Sequence, residues 1–310
     1  MDLLSVVVPT LNRPAPLLRA VQSLLRQTVP DGLTLEIIVV DNSKNGNARP
    51  VIETLAGNNH CRILYFQEKC AGVASARNCG VNAASGRWVA FLDDDEEALE
   101  GWIAGLVATA RATKADAFFG PIEAKSDGEK VIESFGRFFS RSLERQDRSD
   151  ITDLAAYLGT NNSMFDRERC FDKGSPFDLS LNATGGEDSL LLKELVERGR
   201  TFAWAQNARV IEWVPDRRLS WSYVRKRKFL SGQIRVLVQY KLHPVRWSSI
   251  AGWMAVGLAQ TALAGTAMIL SWPISKERFD RFSAVCCGGL GKVLWMPRFQ
   301  MALYGSGHVS

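Results

Sequence analysis

The feature that most constrains the fold is a regular alternation of short apolar runs and amphipathic segments in the first third of the chain. The apolar runs are rich in β-branched residues and end in turn-forming residues, which predicts buried strands. They are Leu3–Thr10, Leu35–Ser43, Cys61–Gln67 and Arg87–Asp95. Segments with helical spacing follow them, at Pro16–Gln27, Arg49–Gly57, Gly72–Gly86 and Glu97–Thr113. The alternation predicts an α/β fold with a mostly parallel sheet and helices on both faces.

Cysteine and histidine usage argues against several classes of site. The 310 residues include six cysteines and three histidines, with no C-x-x-C pair. We therefore expect neither a disulfide scaffold nor a zinc site, and the thiols should be reduced, as in the cytoplasm. The N-terminus begins as a strand without the basic head of a leader, which favours the same compartment. A dehydrogenase is not expected, because G-x-G-x-x-G is absent after the first strand, and "GGLGK" at 288–292 lacks P-loop spacing.

A run of acidic residues follows the fourth predicted strand, in the sequence "WVAFLDDDEEAL". Ligands of open α/β sheets bind outside the carboxyl ends of the strands, where Thr10, Asp41 and this run all fall. Asp93 and Asp95 could hold one Mg²⁺ or Mn²⁺ ion against a nucleotide diphosphate. The alternative is that residues 94–97 only cap the next helix, which would leave Asp93 unexplained because it belongs to the predicted strand.

Five motifs in order along the first 220 residues resemble the family 2 glycosyltransferases. They are "SVVVPTLNR", "VVDNS", "AGVASARNCG", "GRWVAFLDDDE" and "GGEDSLLLKEL". The segments "FFGPIEA" and "EWVPDRRLSW" are in addition similar to the bacterial exopolysaccharide branch, including the glucosyltransferases of succinoglycan assembly. The resemblance implies the nucleotide-sugar fold called GT-A, an inverting transfer, a divalent metal ion and a nucleotide-sugar donor, UDP-sugar first.

The resemblance also implies roles for individual residues. The nucleotide site would be formed by Pro9, Thr10, Asn12, Arg13, Asp41, Arg77, Asn78, Asp93 and Asp94. Asp41 would accept a hydrogen bond from the base, although Asp41 and Asn42 could also simply form a turn. Asp95 would be the metal ligand, assisted by Asp93.

The later acidic motif implies the general base. Asp188 matches it, with Glu187 beside it and Gly186 giving the acceptor close access to the backbone. A Glu-Asp pair at a helix start could also serve only as first-turn residues. The Q-x-x-R-W motif of processive members is missing, so we expect transfer of one sugar per encounter. Trp221, Arg225 and Arg227 are the candidate acceptor contacts in its place.

The C-terminal part has a different composition. Basic residues crowd positions 217–246 of this chain of net charge +5, and residues 247–275 contain no charged residue. Basic residues on both sides of the apolar segment favour a helical hairpin, or helices in the membrane interface, over a single crossing. The alternative is a core helix or helix pair. An anionic membrane surface and a lipid-linked acceptor are the expected partners; nucleic acid is not, because no binding motif supports it.

These observations predict a GT-A domain over residues 1–225 and a membrane-associated helical tail over 226–310. Residues 1–95 would form the nucleotide-binding half and 96–225 the acceptor half. The predicted activity is an inverting, metal-dependent sugar transfer to a lipid-linked intermediate of a bacterial surface polysaccharide, at the cytoplasmic face of the inner membrane. A sugar nucleotidyltransferase and a non-catalytic membrane scaffold remain as alternatives.

Overall fold

A computed structural model describes residues 2–55, 61–172 and 174–300 of the chain. Its strands are β1 Asp2–Thr10, β2 Leu33–Asp41, β3 Arg62–Gln67, β4 Trp88–Phe91, β5 Glu96–Ala98, β6 Ala117–Phe119, β7 Ile122–Ser126, β8 Ser163–Asp166, β9 Phe202–Trp204 and β10 Val210–Val214. Its α-helices are α1 Pro14–Leu25, α2 Arg49–Leu55, α3 Val73–Ala83, α4 Trp102–Ala112, α5 Arg167–Cys170, α6 Glu187–Glu197, α7 Trp221–Lys241, α8 Trp247–Ser271 and α9 Lys276–Val293.

Seven strands form the main sheet, in the order β3-β2-β1-β4-β8-β6-β9. The half from β3 to β4 is parallel, as the alternating sequence predicts. Strand β8 runs antiparallel to both of its neighbours, β4 and β6, so the other half of the sheet is mixed. A second sheet of order β5-β10-β7 lies beyond the end of β4. The carboxyl ends of β1, β2 and β4 therefore face this second sheet across one edge.

Two apolar clusters cover the two faces of the main sheet because side chains alternate along each strand. Val6 and Val8 of β1 lie in the cluster that contains Leu17 of α1. Val7 of the same strand lies in the opposite cluster, with Phe91. These side chains are fully buried. The sheet is thus a rigid base for the loops at its carboxyl edge.

The predicted boundaries around the acidic run are wrong in two respects. Strand β4 ends at Phe91, so Asp93 follows the strand and does not belong to it. The predicted helix Glu97–Thr113 begins only at Trp102, because Glu96–Ala98 pairs antiparallel with Val210–Glu212 and forms β5. The acidic residues therefore do not cap α4, and the capping alternative is excluded.

The tail is a unit of three helices, α7, α8 and α9. Helices α7 and α9 approach closely through glycines: a Cβ added at Gly291 would lie 2.0 Å from the carbonyl oxygen of Phe229. Residues of "GGLGK" thus serve helix packing. The predicted division at residue 225 falls within α7, and the division into domains stays a prediction.

Helix α8 is largely exposed. Among the described residues, α8 is the one helix long and apolar enough to cross a membrane. Only 17% of its most apolar 18-residue stretch is buried. Its buried positions recur every seven residues, at Ile250, Gly257, Ala264 and Ser271. Leu263, Ile269 and Leu270 on its other sides are exposed. The alternative of a core helix is therefore wrong.

Candidate functional site

The turn after β4 is held against the end of β1. The hydroxyl of Thr10 donates to Asp94 Oδ2 at 2.8 Å, and Arg13 Nη1 donates to Asp94 Oδ1 and Asp95 Oδ2, each at 3.0 Å. Burial, and then repulsion from Asp95, raises the pKa of Asp94 to about 7. The structure thus brings the "PTLNR" motif and the acidic run into one site, as their positions at strand ends predict.

Asp95 lies between two arginines. Its Oδ2 atom accepts hydrogen bonds at 3.0 Å from Arg13 and from Arg218, which follows β10. Arg218 is also 3.9 Å from Glu212 of β10, and burial, followed by repulsion from Asp95, raises the pKa of Glu212 to about 7. Glu212 and Arg218, both within the segment "EWVPDRRLSW", thereby add a carboxylate and a guanidinium to the predicted site residues.

Asp93 is the most open carboxylate of the acidic turn, with 31% side-chain exposure against 7% for Asp94 and 13% for Asp95. Its backbone N–H donates to Glu96 Oε2 at 3.0 Å, and Glu96 Oε1 accepts from Asn161 at 3.0 Å. The low-dielectric surroundings raise the pKa of Asp93, and Asp95 raises it further by repulsion. Asp93 is therefore oriented from its backbone side while its carboxylate remains accessible.

Arg77 connects the acidic turn with the later acidic motif. It lies on α3, pairs with Glu187 Oε1 and is 3.4 Å from Asp93 Oδ1. Arg77 and Glu187 are both buried. Burial, and then repulsion from Asp188, raises the pKa of Glu187 to about 7. Arg77 thus joins the acidic turn to Glu187, which lies 110 residues beyond Arg77 in the chain.

Asp188 lies half-buried in the first turn of α6. Helix α6 begins after Gly186, whose φ of 94° is in the left-handed region that favours glycine. Asp188 Oδ1 accepts from the backbone N–H of Ser189 at 2.6 Å, and a Cβ added at Gly159 would lie 3.1 Å from Asp188 Oδ2. Backbone thus approaches the carboxylate closely at Gly159, and α6 fixes its orientation.

Asp41 and Asn78 occupy interior positions. The carboxylate of Asp41 is fully buried and accepts from the backbone N–H groups of Ser43 and Ala48 and from the hydroxyl of Tyr65, at 2.8, 2.9 and 3.0 Å. Burial and the Asp41 contact raise the pKa of Tyr65 to about 12. Both ends of the Asn78 amide bond the backbone of residue 177. The side chain of Asp41 has no solvent exposure, and its hydrogen bond with the nucleotide base stays a prediction.

The remaining predicted residues lie in two places. Pro9 is half-buried and lies one residue before the end of β1, and Asn12, with a φ of 57°, accepts from Asn47 at 2.6 Å. The predicted acceptor residues lie on α7. Trp221 packs on Phe135 and Phe138, Arg225 pairs with Asp280 of α9 at 2.9 Å, and Arg227 stacks on Phe139. The charge of Arg227 also counteracts the rise in the pKa of Glu212, whereas Arg225 is paired within the tail helices.

Arg141 is a site residue that the sequence patterns missed. Its guanidinium donates hydrogen bonds to four backbone carbonyls, those of Gly120, Gly159, Asn161 and Asn162. Burial lowers the pKa of Arg141 to about 10, while the carboxylates of the site counteract that lowering. No motif marks this arginine, because its partners come from two distant loops. A lone arginine in a polar stretch carries no local signal.

The donor set fits a hard divalent cation. Among the described residues, no three His, Cys, Asp or Glu side chains already form a metal cage. Mg²⁺ in phosphate sites commonly takes one or two carboxylates and completes its shell with water and substrate phosphates. Asp93 and Asp95 are such a pair, and burial, with a smaller contribution from repulsion among these carboxylates, raises the pKa values of Asp93, Asp94 and Glu212.

Comparison with known proteins assigns the chain to a family. The profile described as Glycosyl transferase family 2 matches residues 5–170. The succinoglycan biosynthesis protein ExoM of Rhizobium meliloti (strain 1021) is 32% identical over 284 residues, which cover 90% of this chain and 88% of ExoM. A GalNAc(5)-diNAcBac-PP-undecaprenol beta-1,3-glucosyltransferase of Campylobacter jejuni is 34% identical over 173 residues, covering 53% of this chain and 52% of that protein. The predicted family resemblance, including its exopolysaccharide branch, is confirmed.

A solved structure confirms the fold. The chain matches S. aureus TarS 1-349 in complex with UDP with a TM-score of 0.56 and 16% identity, covering 94% of this chain and 90% of that chain. At this identity the likeness shows the fold, and the fold is GT-A, as predicted.

Proposed function

The chain belongs to glycosyl transferase family 2 and is a glycosyltransferase, and from that premise we propose an inverting, metal-dependent transfer of one sugar to a lipid-linked acceptor. The donor is a nucleotide sugar, for which UDP is our first choice because TarS was solved with UDP. The Campylobacter relative is named for an undecaprenol-linked acceptor, and ExoM for succinoglycan biosynthesis. The first name supports an acceptor on a lipid carrier, and the second supports a role in polysaccharide assembly.

One observation carries the proposal: Arg77 joins Glu187, the neighbour of the proposed base, to Asp93 of the acidic turn. This contact supports a single site in which the proposed base lies near the proposed diphosphate-binding residues. An acceptor hydroxyl is a poor nucleophile at neutral pH, and Asp188 would take its proton during the attack. The oxygen attacks the anomeric carbon from the face opposite the diphosphate, so one displacement inverts the configuration.

Negative charge develops on the departing nucleotide and must be stabilised. Arg77 places a positive charge between the helix of the base and the acidic turn, and Arg13 adds a second one beside Asp95. Asp93 and Asp95 would hold Mg²⁺ or Mn²⁺, which when bound supplies Lewis-acid stabilisation of the diphosphate. Thr10 and Arg13 keep the acidic turn in place by their bonds to Asp94.

We place the enzyme at the cytoplasmic membrane face, held there by the tail. Helix α8 leaves Leu258, Leu263, Ile269 and Trp272 exposed, and basic residues precede and follow it in the sequence. An apolar helix flanked by positive charge binds the interface of anionic membranes. Flotation of the full chain with phosphatidylglycerol vesicles, and its absence with protein lacking residues 247–275, is the expected result.

The test of activity uses the full chain with Mn²⁺ and a panel of UDP-, GDP- and dTDP-sugars. Release of the nucleoside diphosphate and thermal stabilisation by one donor are expected, with Asp188→Asn losing about 10²- to 10⁴-fold in kcat while retaining donor binding. Release of pyrophosphate from a nucleoside triphosphate would instead identify a nucleotidyltransferase. Absence of turnover with every donor and lipid-linked acceptor would identify a scaffold, and either result rejects the proposal.

A further inference from the structure

Three cationic side chains lie together on the tail helices beside the catalytic domain. We call Lys228 and Arg235 of α7 and Lys292 of α9 the tail cation cluster. Burial is the main cause that lowers the pKa of each of the three side chains. Repulsion from neighbouring cations lowers the pKa values of the two lysines further. Lys228 lies in the field of Arg235, and Lys292 lies in the fields of both. The packing places them together, because a Cβ added at Gly232, one helical turn from both Lys228 and Arg235, would lie 3.0 Å from the backbone nitrogen of Lys292.

The cluster has no acidic partner in the part of the chain that the structure describes. No carboxylate lies within 4.0 Å of any of its three nitrogen head groups among the described residues, whereas Arg225 on the same helix pairs with Asp280. Lys292 donates to Gln260 at 2.7 Å and to the carbonyl of Gly288 at 3.3 Å, both neutral groups. Arg235 Nη1 is buried without a hydrogen-bond partner.

Aromatic rings hold the cluster in a fixed arrangement. The guanidinium of Arg235 stacks 3.9 Å from the ring centre of Tyr157 and lies 5.6 Å from that of Trp253 on α8. Lys228 Nζ lies 5.4 Å from the ring centre of Phe138. Cation–π contacts of this kind orient a cation while leaving its hydrogen-bond donors available. Such donors suit an oxygen-rich anion.

The cluster adjoins the proposed base. Ile234, which precedes Arg235, packs on Gly186, since a Cβ added at Gly186 would lie 3.0 Å from Ile234 Cγ2. On the opposite side, Tyr157 belongs to the loop in which Gly159 approaches Asp188. The residue before Arg235 and the ring on which Arg235 stacks thus belong to the two segments that flank Asp188.

The far side of the cluster faces apolar surface. Trp253 belongs to α8, whose exposed apolar residues we assign to the membrane. The protein thus offers, in order, the carboxylate of Asp188, the three cations of the cluster and the apolar helix α8. A polyprenyl diphosphate saccharide has the same order of groups: a sugar hydroxyl, a diphosphate and a hydrocarbon chain.

We infer that the tail cation cluster binds the diphosphate that links the acceptor saccharide to its lipid. The inference rests on the proposed lipid-linked acceptor and names the residues that recognise it. Arg235 supplies a planar fork for one phosphate, and Lys228 and Lys292 supply point charges. The headgroup of an anionic phospholipid offers a related phosphate, so the test must separate the two sources.

The probe is undecaprenyl diphosphate in phosphatidylcholine vesicles, compared with phosphatidylglycerol vesicles of matched total charge. Flotation of the full chain measures Kd for each, and we expect at least about tenfold tighter binding to the diphosphate vesicles, or about 1.4 kcal/mol. Arg235→Gln and Lys228→Gln should each abolish that preference. Lys226→Gln removes the same charge from the exposed part of the same helix and should retain the preference.

Each outcome decides the inference. Lys228 is exposed, so Lys228→Gln tests the site even where Arg235→Gln disturbs the packing on Tyr157. Equal Kd for both vesicles identifies a general headgroup surface and overturns the inference, as does an unchanged preference in Lys228→Gln. Donor turnover by the wild-type chain separates the two proposals: turnover without diphosphate preference rejects this inference alone, and diphosphate preference without turnover rejects the proposed function alone.

Discussion

Replacing Arg141 tests whether one guanidinium holds the acceptor side of the site together. Its nitrogens donate to the carbonyls of Gly120, Gly159, Asn161 and Asn162 at 3.0, 3.2, 2.8 and 2.7 Å. Arg141→Met removes all four bonds and leaves those carbonyls to find water in a confined space. It also removes a positive charge from the field of the surrounding carboxylates, so their mutual repulsion increases.

The loss of stability follows from these bonds. A hydrogen bond contributes about 1 kcal/mol net, so four bonds correspond to about 4 kcal/mol of unfolding free energy. For a chain of this size about 2 °C of Tm corresponds to each kcal/mol, and Arg141→Met should lower Tm by about 8 °C. Arg141→Lys keeps the charge and only part of the bonds, so its Tm should lie between those of Arg141→Met and the wild type.

Activity should fall in the same variant for a geometric reason. Asn161 bonds Glu96, and Gly159 approaches Asp188, so the freed loop would displace both partners. We expect kcat to fall because Asp188 is displaced, and KM for the donor to rise because Glu96 also positions Asp93 of the acidic turn.

The assay is thermal unfolding of the purified full chain, followed by donor kinetics at saturating acceptor. Arg145→Met is the matched control, since Arg145 is exposed and forms a surface ion pair with Asp153, worth at most about 1 kcal/mol. An Arg141→Met protein with the Tm and kcat of that control would refute the reasoning.

Three further predictions concern pH, packing and metal. The pKa of Glu212 is about 7 in the folded protein against an ordinary value of 4.5, so folding favours its protonated form and stability falls as pH rises through that interval. Glu212→Gln should reduce the drop in Tm between about pH 5 and pH 8 by the equivalent of up to about 3 kcal/mol. The control Glu123→Gln, at an exposed position, should leave the drop unchanged. Equal drops in the two variants would contradict the raised pKa of Glu212. Gly291→Ala places a Cβ 2.0 Å from a carbonyl oxygen of α7 and should cost about 1–3 kcal/mol in thermal unfolding, whereas Gly252→Ala, with no atom within 4 Å, should be neutral or stabilising. Asp95→Asn should raise the Mn²⁺ concentration for half-maximal donor turnover, and an unchanged titration would exclude Asp95 as a ligand.

The parallel half of the sheet and the order of the site motifs are predictable from the sequence. Val6–Val8 and Ile37–Val40 are apolar over several consecutive residues, and such a run has few ways to be buried other than as a central strand. The motif at 93–95 and the pair Glu187-Asp188 follow a strand and begin a helix, so their place at the site follows from local structure.

The structural features that the sequence did not predict all depend on residues far away in the chain. Glu96–Ala98 has the sequence of a helix start and forms a strand only because β10 lies beside it. Arg141 has no signal in its neighbours along the chain, and the segment "EWVPDRRLSW" does not reveal the partner of Arg218. Both roles arise from carbonyls and carboxylates of other elements. The length of α8 is readable from its uncharged run, but its exposure depends on how α7 and α9 pack.

The sequence by itself therefore determined the alternating strands and helices, the acidic turn, the placing of Glu187 and Asp188 at the start of a helix, and the family, because each is encoded in neighbouring residues. Only the tertiary structure decided which arginine balances which carboxylate, which residues of the second sheet join the site and which face of α8 stays uncovered. Those outcomes are set by contacts between residues far apart in the chain, whose electrostatic and packing energies exist only after the elements have come together.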